Sequence, residues 1–184
     1  MSLRLLLGWG LLISLLGGCA LPSPRVASPV PLAGPVELER FMGDWYVIGV
    51  IPTFIEHGAH NAVESYALNP DGRIATTFRR RDGGFDGPVK IARPIATVVP
   101  GTGNALWGMQ FVWPFQGEFR IAHLEPDYSV TIIARSQLDY VWLMSRRPEM
   151  DEARFQRYRE LIASWGYEVS RFVRVPQRWP EMAP

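Results

Sequence analysis

The chain has 184 residues, with 19 basic against 18 acidic side chains and a single cysteine. One thiol excludes an intramolecular disulfide framework, and a net charge of +1 gives no reason to expect a nucleic-acid partner. A chain of this length supports one ordinary domain.

At the N-terminus, Arg4 precedes an apolar run from Leu5 to Leu16, interrupted only by Gly8, Gly10 and Ser14. The run is shorter than the roughly 20 apolar residues needed to cross a bilayer, and it has the proportions of a secretory signal. It ends in Leu16-Gly17-Gly18-Cys19, which resembles the lipobox of bacterial lipoproteins. That resemblance implies that residues 1–18 are a signal peptide removed before Cys19, and that the Cys19 thiol is acylated as a membrane anchor. Ala20, in place of an aspartate, implies onward sorting to the outer membrane. Residues 19–35 carry Pro22, Pro24, Pro29, Pro31 and Pro35 and read as a semi-extended tether. The domain is then expected over residues 36–176, with 177–184 as a loose tail.

Residues 37–42 read as a short helical entry. Strands are predicted at 45–51, 61–68, 73–80, 89–99, 106–113, 118–124, 128–134 and 139–145, rich in β-branched and aromatic residues. Between them lie turn signals such as Asn69-Pro70-Asp71-Gly72, Asp82-Gly83-Gly84, Pro100-Gly101 and Glu125-Pro126-Asp127. Short strands with no intervening helix predict an antiparallel meander, closed as a barrel or stacked as a sandwich. The period then changes. Phe155, Tyr158, Leu161, Ile162 and Trp165 recur at helical spacing, so one amphipathic helix is predicted from Asp151 to Gly166. Residues 169–175 are expected to add one more strand.

Two strands carry the strongest candidates. Trp107, Met109, Phe111 and Trp113 alternate along one face of the fifth strand, and Tyr140, Trp142 and Met144 along one face of the eighth. Patterning alone leaves a sealed sandwich core and a ligand pocket equally open. An eight-stranded barrel is just wide enough for one small ligand, and aromatics with polar tips suit a cavity wall, where each N–H or O–H can find a partner.

Phe41-Met42-Gly43-Asp44-Trp45-Tyr46 and the run from Leu138 to Pro148, with Asp139, Tyr140, Trp142 and Arg146, together resemble the signatures of the lipocalin family. Within it they are most similar to the bacterial outer-membrane lipoprotein and apolipoprotein D-like group. The resemblance implies an all-β fold: an eight-stranded antiparallel up-and-down barrel with one C-terminal α-helix packed outside. It makes Gly43, Trp45, Asp139 and Arg146 structural signature residues, with Arg146 packed over Trp45 at a closed floor. Up-and-down order then sends the loops 52–60, 79–87, 114–117 and 135–138 to an open mouth. Arg79, Arg80 and Arg81 are expected at the rim, where their planar forks suit a carboxylate or phosphate head group. The pocket wall is expected from Tyr66, Trp107, Met109, Phe111, Trp113, Phe119, Tyr140 and Trp142.

The implied function is to bind, store or carry fatty acids, lysophospholipids or similar amphiphiles in the outer membrane, facing the periplasm. Two alternatives stand beside it: a rigid hydrophobe such as a sterol-like compound, quinone or tetrapyrrole, or a filled barrel that docks a partner. A homodimer is compatible with the sequence. No catalysis is expected, because no Gly-x-Ser-x-Gly elbow or phosphate-cradling loop occurs and acylation leaves no cysteine nucleophile. Glu56, His57, His60 and His123 fit no common ligand spacing, so no metal or other cofactor is expected.

Overall fold

A computed structural model describes residues 29–52, 57–112 and 114–181 of the chain. Cys19 and the residues before it lie outside the described residues, as does Trp113. The short helix α1 (Leu38–Phe41) leads into β1 (Gly43–Ile51), β2 (Ala59–Leu68), β3 (Ile74–Asp82), β4 (Val89–Ala92) and β5 (Ile95–Val98). Next come β6 (Leu106–Val112), β7 (Phe115–Leu124), β8 (Val130–Ala134), β9 (Val141–Ser145), helix α2 (Glu152–Ser164) and a two-residue β10 (Val173–Arg174). The strands pair antiparallel in the order β1-β2-β3-β5-β6-β7-β8-β9, with β4 beside β3 and β10 beside β1, and β9 returns to pair with β1, which closes the sheet into a barrel.

The predicted fourth strand is interrupted. β4 and β5 continue one another along β3 in a single register (Phe78↔Ala92, Ile74↔Ala96), but Arg93-Pro94 separates them. Proline has no N–H to give to a ladder. Counted as one interrupted strand, β4 and β5 bring the barrel to the expected eight.

Period two divides each strand between an inner and an outer face. Inside, Trp45, Val47 and Val50 of β1, Ile74 of β3, Trp107 and Met109 of β6 and Trp142 and Met144 of β9 belong to one buried cluster. Outside, Val130 and Ile132 of β8 and Val141 and Leu143 of β9 form a second cluster with α2. α2 starts where the Asp151 carboxylate accepts the Arg154 N–H at 2.8 Å, a helix N-cap, and ends before Gly166, whose φ of +94° suits a residue without Cβ. Its predicted stripe is buried at Phe155, Tyr158, Ile162 and Trp165, with Leu161 at the margin. Each such side chain contributes about 1.5–3 kcal/mol on full burial. The helix sits close because residue 49 is glycine: a Cβ there would lie 2.6 Å from the Phe172 ring and 2.8 Å from that of Phe155.

The C-terminal segment differs most from expectation. In place of a strand over 169–175 there is a single 3-10 turn (Val169–Arg171) followed by β10, and the residues after it are bonded to the barrel wall. β1 and β2 pair only at Gly43–Tyr46, so towards the mouth they diverge and leave backbone groups exposed. The tail supplies partners for them. Val175 N–H donates to Ile48 O, Asn61 N–H to Pro176 O, and the Gln177 amide to Val47 O and Ala62 O. Further along, Glu181 accepts two hydrogen bonds from Arg79 (2.9 and 2.7 Å) and one from Arg81 (3.0 Å).

These bonds hold the Glu181 carboxyl down at about 2, first through the Arg79 bond and then, against burial, through Arg81 and Asn61. Because the folded value is depressed, the strap's contribution is complete above the ordinary value of 4.5 and is lost as pH falls through about 2. Glu181→Gln should therefore lower stability by about 1–2 kcal/mol at neutral pH, and the gap between parent and variant should close as pH approaches 2. Chemical denaturation at pH 7 and at several acid values measures it; a gap independent of pH would contradict the pairing.

Candidate functional site: the barrel interior

The floor of the barrel is built first. Gly43 has φ of +89°, a conformation costly for other residues, and a Cβ there would approach the Arg146 guanidinium at 3.4 Å. The guanidinium lies 3.8 Å over the Trp45 ring, so the expected Trp45–Arg146 pair is present. Arg146 also donates to the carbonyls of Asp44, Arg40, Phe41 and Met42 at 2.7–3.0 Å. One side chain thus ties α1 and β1 to the end of β9. Asp139, the remaining signature residue, accepts the Tyr140 N–H and pairs with Arg135 on the β8–β9 loop.

Above the floor the barrel is filled. Phe41, Trp45, Tyr66, Trp107 and Phe119 interlock, Trp107 stacking on Phe119 at 4.9 Å and Tyr66 meeting Phe41, Trp107 and Phe119 at 5.5–5.9 Å. All five are almost fully buried. Tyr66, Trp107 and Phe119, expected on a pocket wall, are therefore placed in a plug beneath it, and Met109 is sealed in the same cluster. The argument from polar tips misleads at Trp107, because its indole N–H already donates to Asn104 O at 2.7 Å. Trp45 likewise donates to Phe41 O at 2.9 Å. Neither indole needs a ligand.

The open part lies higher. A cavity of about 220 Å³ is lined by Phe78, Arg80, Lys90, Ile91, Ala92, Phe111 and Trp142. Of the predicted wall, Phe111 and Trp142 line it, and Phe78 stacks on Trp142 at 5.3 Å. Tyr140 sits beside Trp142 at 6.1 Å with its hydroxyl on Glu118 O. Phe78, Lys90, Ile91 and Ala92 were missed. They alternate weakly, and only the pairing of β4 with β3 brings them together. A wider hollow of about 690 Å³ lies outside the barrel, between the β7–β8 turn and α2, and its lining is largely charged.

The three arginines are all in β3, which runs on past the strand expected at 73–80 into the mouth loop expected at 79–87, and alternation separates them. Arg79 and Arg81 point outward to Glu181. Arg80 points inward, is 8 % exposed, and pairs with Asp82 at 2.5 Å. Arg80 stands directly across the ladder from Lys90, a like-charge juxtaposition that ordinarily destabilises a strand pair. The Asp82 carboxyl is held below its usual range by Arg80 and, more weakly, by Lys90. Two cations thus share one carboxylate at the lip of an apolar cavity. Of the histidines, His60 is at the mouth end of β2 and His123, bonded to Glu125, is at the floor end of β7. Among the described residues no three His, Cys, Asp or Glu side chains come together to hold a metal.

This fold has clear counterparts. A model of the lipocalin-like domain matches residues 36–177. The outer membrane lipoprotein Blc of Vibrio cholerae is 27 % identical over 168 residues, covering 89 % of this chain and 94 % of that protein. Blc of Escherichia coli K12 is 24 % identical over 161 residues, 86 % and 89 % of the two chains. Temperature-induced lipocalin-1 of Arabidopsis thaliana is 27 % identical over 150 residues, 77 % and 80 %. In structure, insecticyanin of the tobacco hornworm Manduca sexta superposes with a TM-score of 0.64 at 11 % identity, covering 83 % of this chain and 86 % of that one. The chain belongs to the lipocalin family, whose barrels hold small hydrophobic molecules.

The floor geometry predicts that Arg146→Ala lowers stability by about 2–4 kcal/mol, since stacking and four carbonyl partners are lost together. Arg146→Lys should recover only part of this, because an ammonium lacks the planar fork. Thermal unfolding checks both variants; a parental melting temperature for Arg146→Ala would contradict the role given to this side chain.

Proposed function

We propose that this protein is an outer-membrane lipoprotein, anchored through Cys19 and facing the periplasm, that binds and carries fatty acids, lysophospholipids or similar amphiphiles. The observation that carries the ligand class is the lip of the cavity. Arg80 and Lys90 face each other across one ladder above apolar walls, and Arg80 is paired with Asp82 at the lip. An anionic head group placed there relieves their repulsion, while its chain takes the apolar space below. The cavity, at about 220 Å³, lies under the 300–1,000 Å³ usual for a drug-sized ligand. That favours a flexible chain that enters in part over a rigid plate such as a tetrapyrrole, and an open cavity argues against a filled barrel that only docks a partner. The printed names of the Blc relatives, outer membrane lipoproteins, support the location.

Two measurements test this reading. Displacement of a fluorescent fatty acid from the unacylated Cys19→Ser protein reports affinity for oleic acid and for oleyl alcohol. Lys90→Ser should weaken the acid by about three- to fivefold and leave the alcohol unchanged, with the difference shrinking at high salt. Arg79→Ser should change neither, since its partner is Glu181. Failure of the parent to bind either compound at micromolar concentration would exclude the amphiphile.

For the anchor, cells fed a clickable palmitate should label the wild type and not Cys19→Ser, and only the wild type should sediment with outer membranes. An unlabelled wild type recovered in the soluble periplasm would exclude the lipoprotein.

A further inference from the structure

Where the aromatic plug meets the apolar cavity, three polar groups take no part in the floor or the lip: those of Tyr66 in the plug, of its cross-strand partner Thr76 and of Trp142 on the cavity wall. Tyr66 of β2 and Thr76 of β3 are direct cross-strand partners, and Glu64 stands opposite Phe78 one step nearer the mouth. Phe78 in turn stacks on Trp142. Tyr66 is 3 % exposed, Thr76 2 % and Trp142 7 %, yet the Tyr66 hydroxyl, the Thr76 hydroxyl and the Trp142 indole N–H have no hydrogen-bond partner among the described residues.

Packing does not call for these atoms. Phenylalanine at 66 would fill the plug as well, valine at 76 would suit the strand, and the stack on Phe78 uses only the face of the indole. The Thr76 N–H donates to Pro94 O at 3.1 Å, while its hydroxyl is left over. The other two indoles at the floor, those of Trp45 and Trp107, are each paired with a carbonyl. Buried donors without partners cost folding free energy, and native proteins keep few of them without a use.

We propose that Tyr66, Thr76 and Trp142 form a polar subsite beneath the cavity that binds an uncharged hydroxyl or carbonyl in the middle of an amphiphilic chain. An anion is disfavoured there, because burial and, after it, the Glu64 carboxyl on the same inner face already oppose ionisation of the Tyr66 hydroxyl. The depth suits a mid-chain group: Arg80 and Thr76 are four residues apart on β3, about 13 Å along the strand. A head group at Arg80 and Lys90 therefore places the middle of an extended chain at the subsite. This inference rests on the amphiphile reading above and narrows it to chains carrying an internal oxygen.

The test compares oleic acid with ricinoleic acid, which differs from it only by a mid-chain hydroxyl. The unacylated Cys19→Ser protein should bind ricinoleic acid about five- to tenfold more tightly. Adding Tyr66→Phe and Thr76→Val should abolish that preference, leave the affinity for oleic acid unchanged, and not lower the melting temperature. Equal affinity of the parent for the two acids overturns the subsite while leaving the amphiphile reading intact. A preference that survives the double replacement also overturns it. If neither acid binds, both readings fall.

Discussion

The barrel depends on a single guanidinium. Arg146 lies on Trp45 and satisfies four consecutive-region carbonyls from Arg40 to Asp44, so the turn from α1 into β1 has only one geometry available to it. That geometry requires Gly43 at positive φ and directs Phe41 and Trp45 into the barrel base. There they seed the plug of Tyr66, Trp107 and Phe119. Once the lower half is solid, free space can exist only towards the mouth, and the position of the ligand cavity follows from the closure of the opposite end.

A second constraint acts at the upper end. β1 must pair with β9 to close the barrel and with β2 to continue it, and it departs from β2 beyond Tyr46. Backbone groups left by that divergence take partners from β10 and the residues after it, and the strap is pinned by Glu181 on Arg79 and Arg81. The arrangement assigns the three successive arginines two different tasks. The outer pair secures the wall, and the inner one, Arg80, is left to face the cavity with Lys90.

Much of this was legible in the sequence, and the failures have physical reasons. Alternation along 106–111 and 139–145 separates inner from outer faces, and Asp151 with Gly166 marks the helix, because period and capping are local. Depth is not local. Trp107 and Phe111 share a face, yet one is locked in the plug and the other is at the cavity; only the closure at Arg146 decides which. Arg79-Arg80-Arg81 before Asp82-Gly83-Gly84 reads as the start of a mouth loop, since charge obscures an alternation that β3 nonetheless obeys. The strap could not be read, because many of its partners are main-chain carbonyls and amides, which every sequence carries, and its side-chain partners Arg79 and Arg81 lie about a hundred residues away in sequence.

The central claim is that the interior is divided, with a closed floor and a ligand space bounded by Trp142, Phe78 and Arg80. Indole N–H resonances report on this directly. In a ¹⁵N-labelled Cys19→Ser protein titrated with oleic acid, the Trp142 signal should shift in proportion to occupancy. Those of Trp45 and Trp107, already bonded to Phe41 O and Asn104 O, should stay in place. Saturable binding that moves Trp45 and Trp107 while leaving Trp142 unchanged would contradict the account.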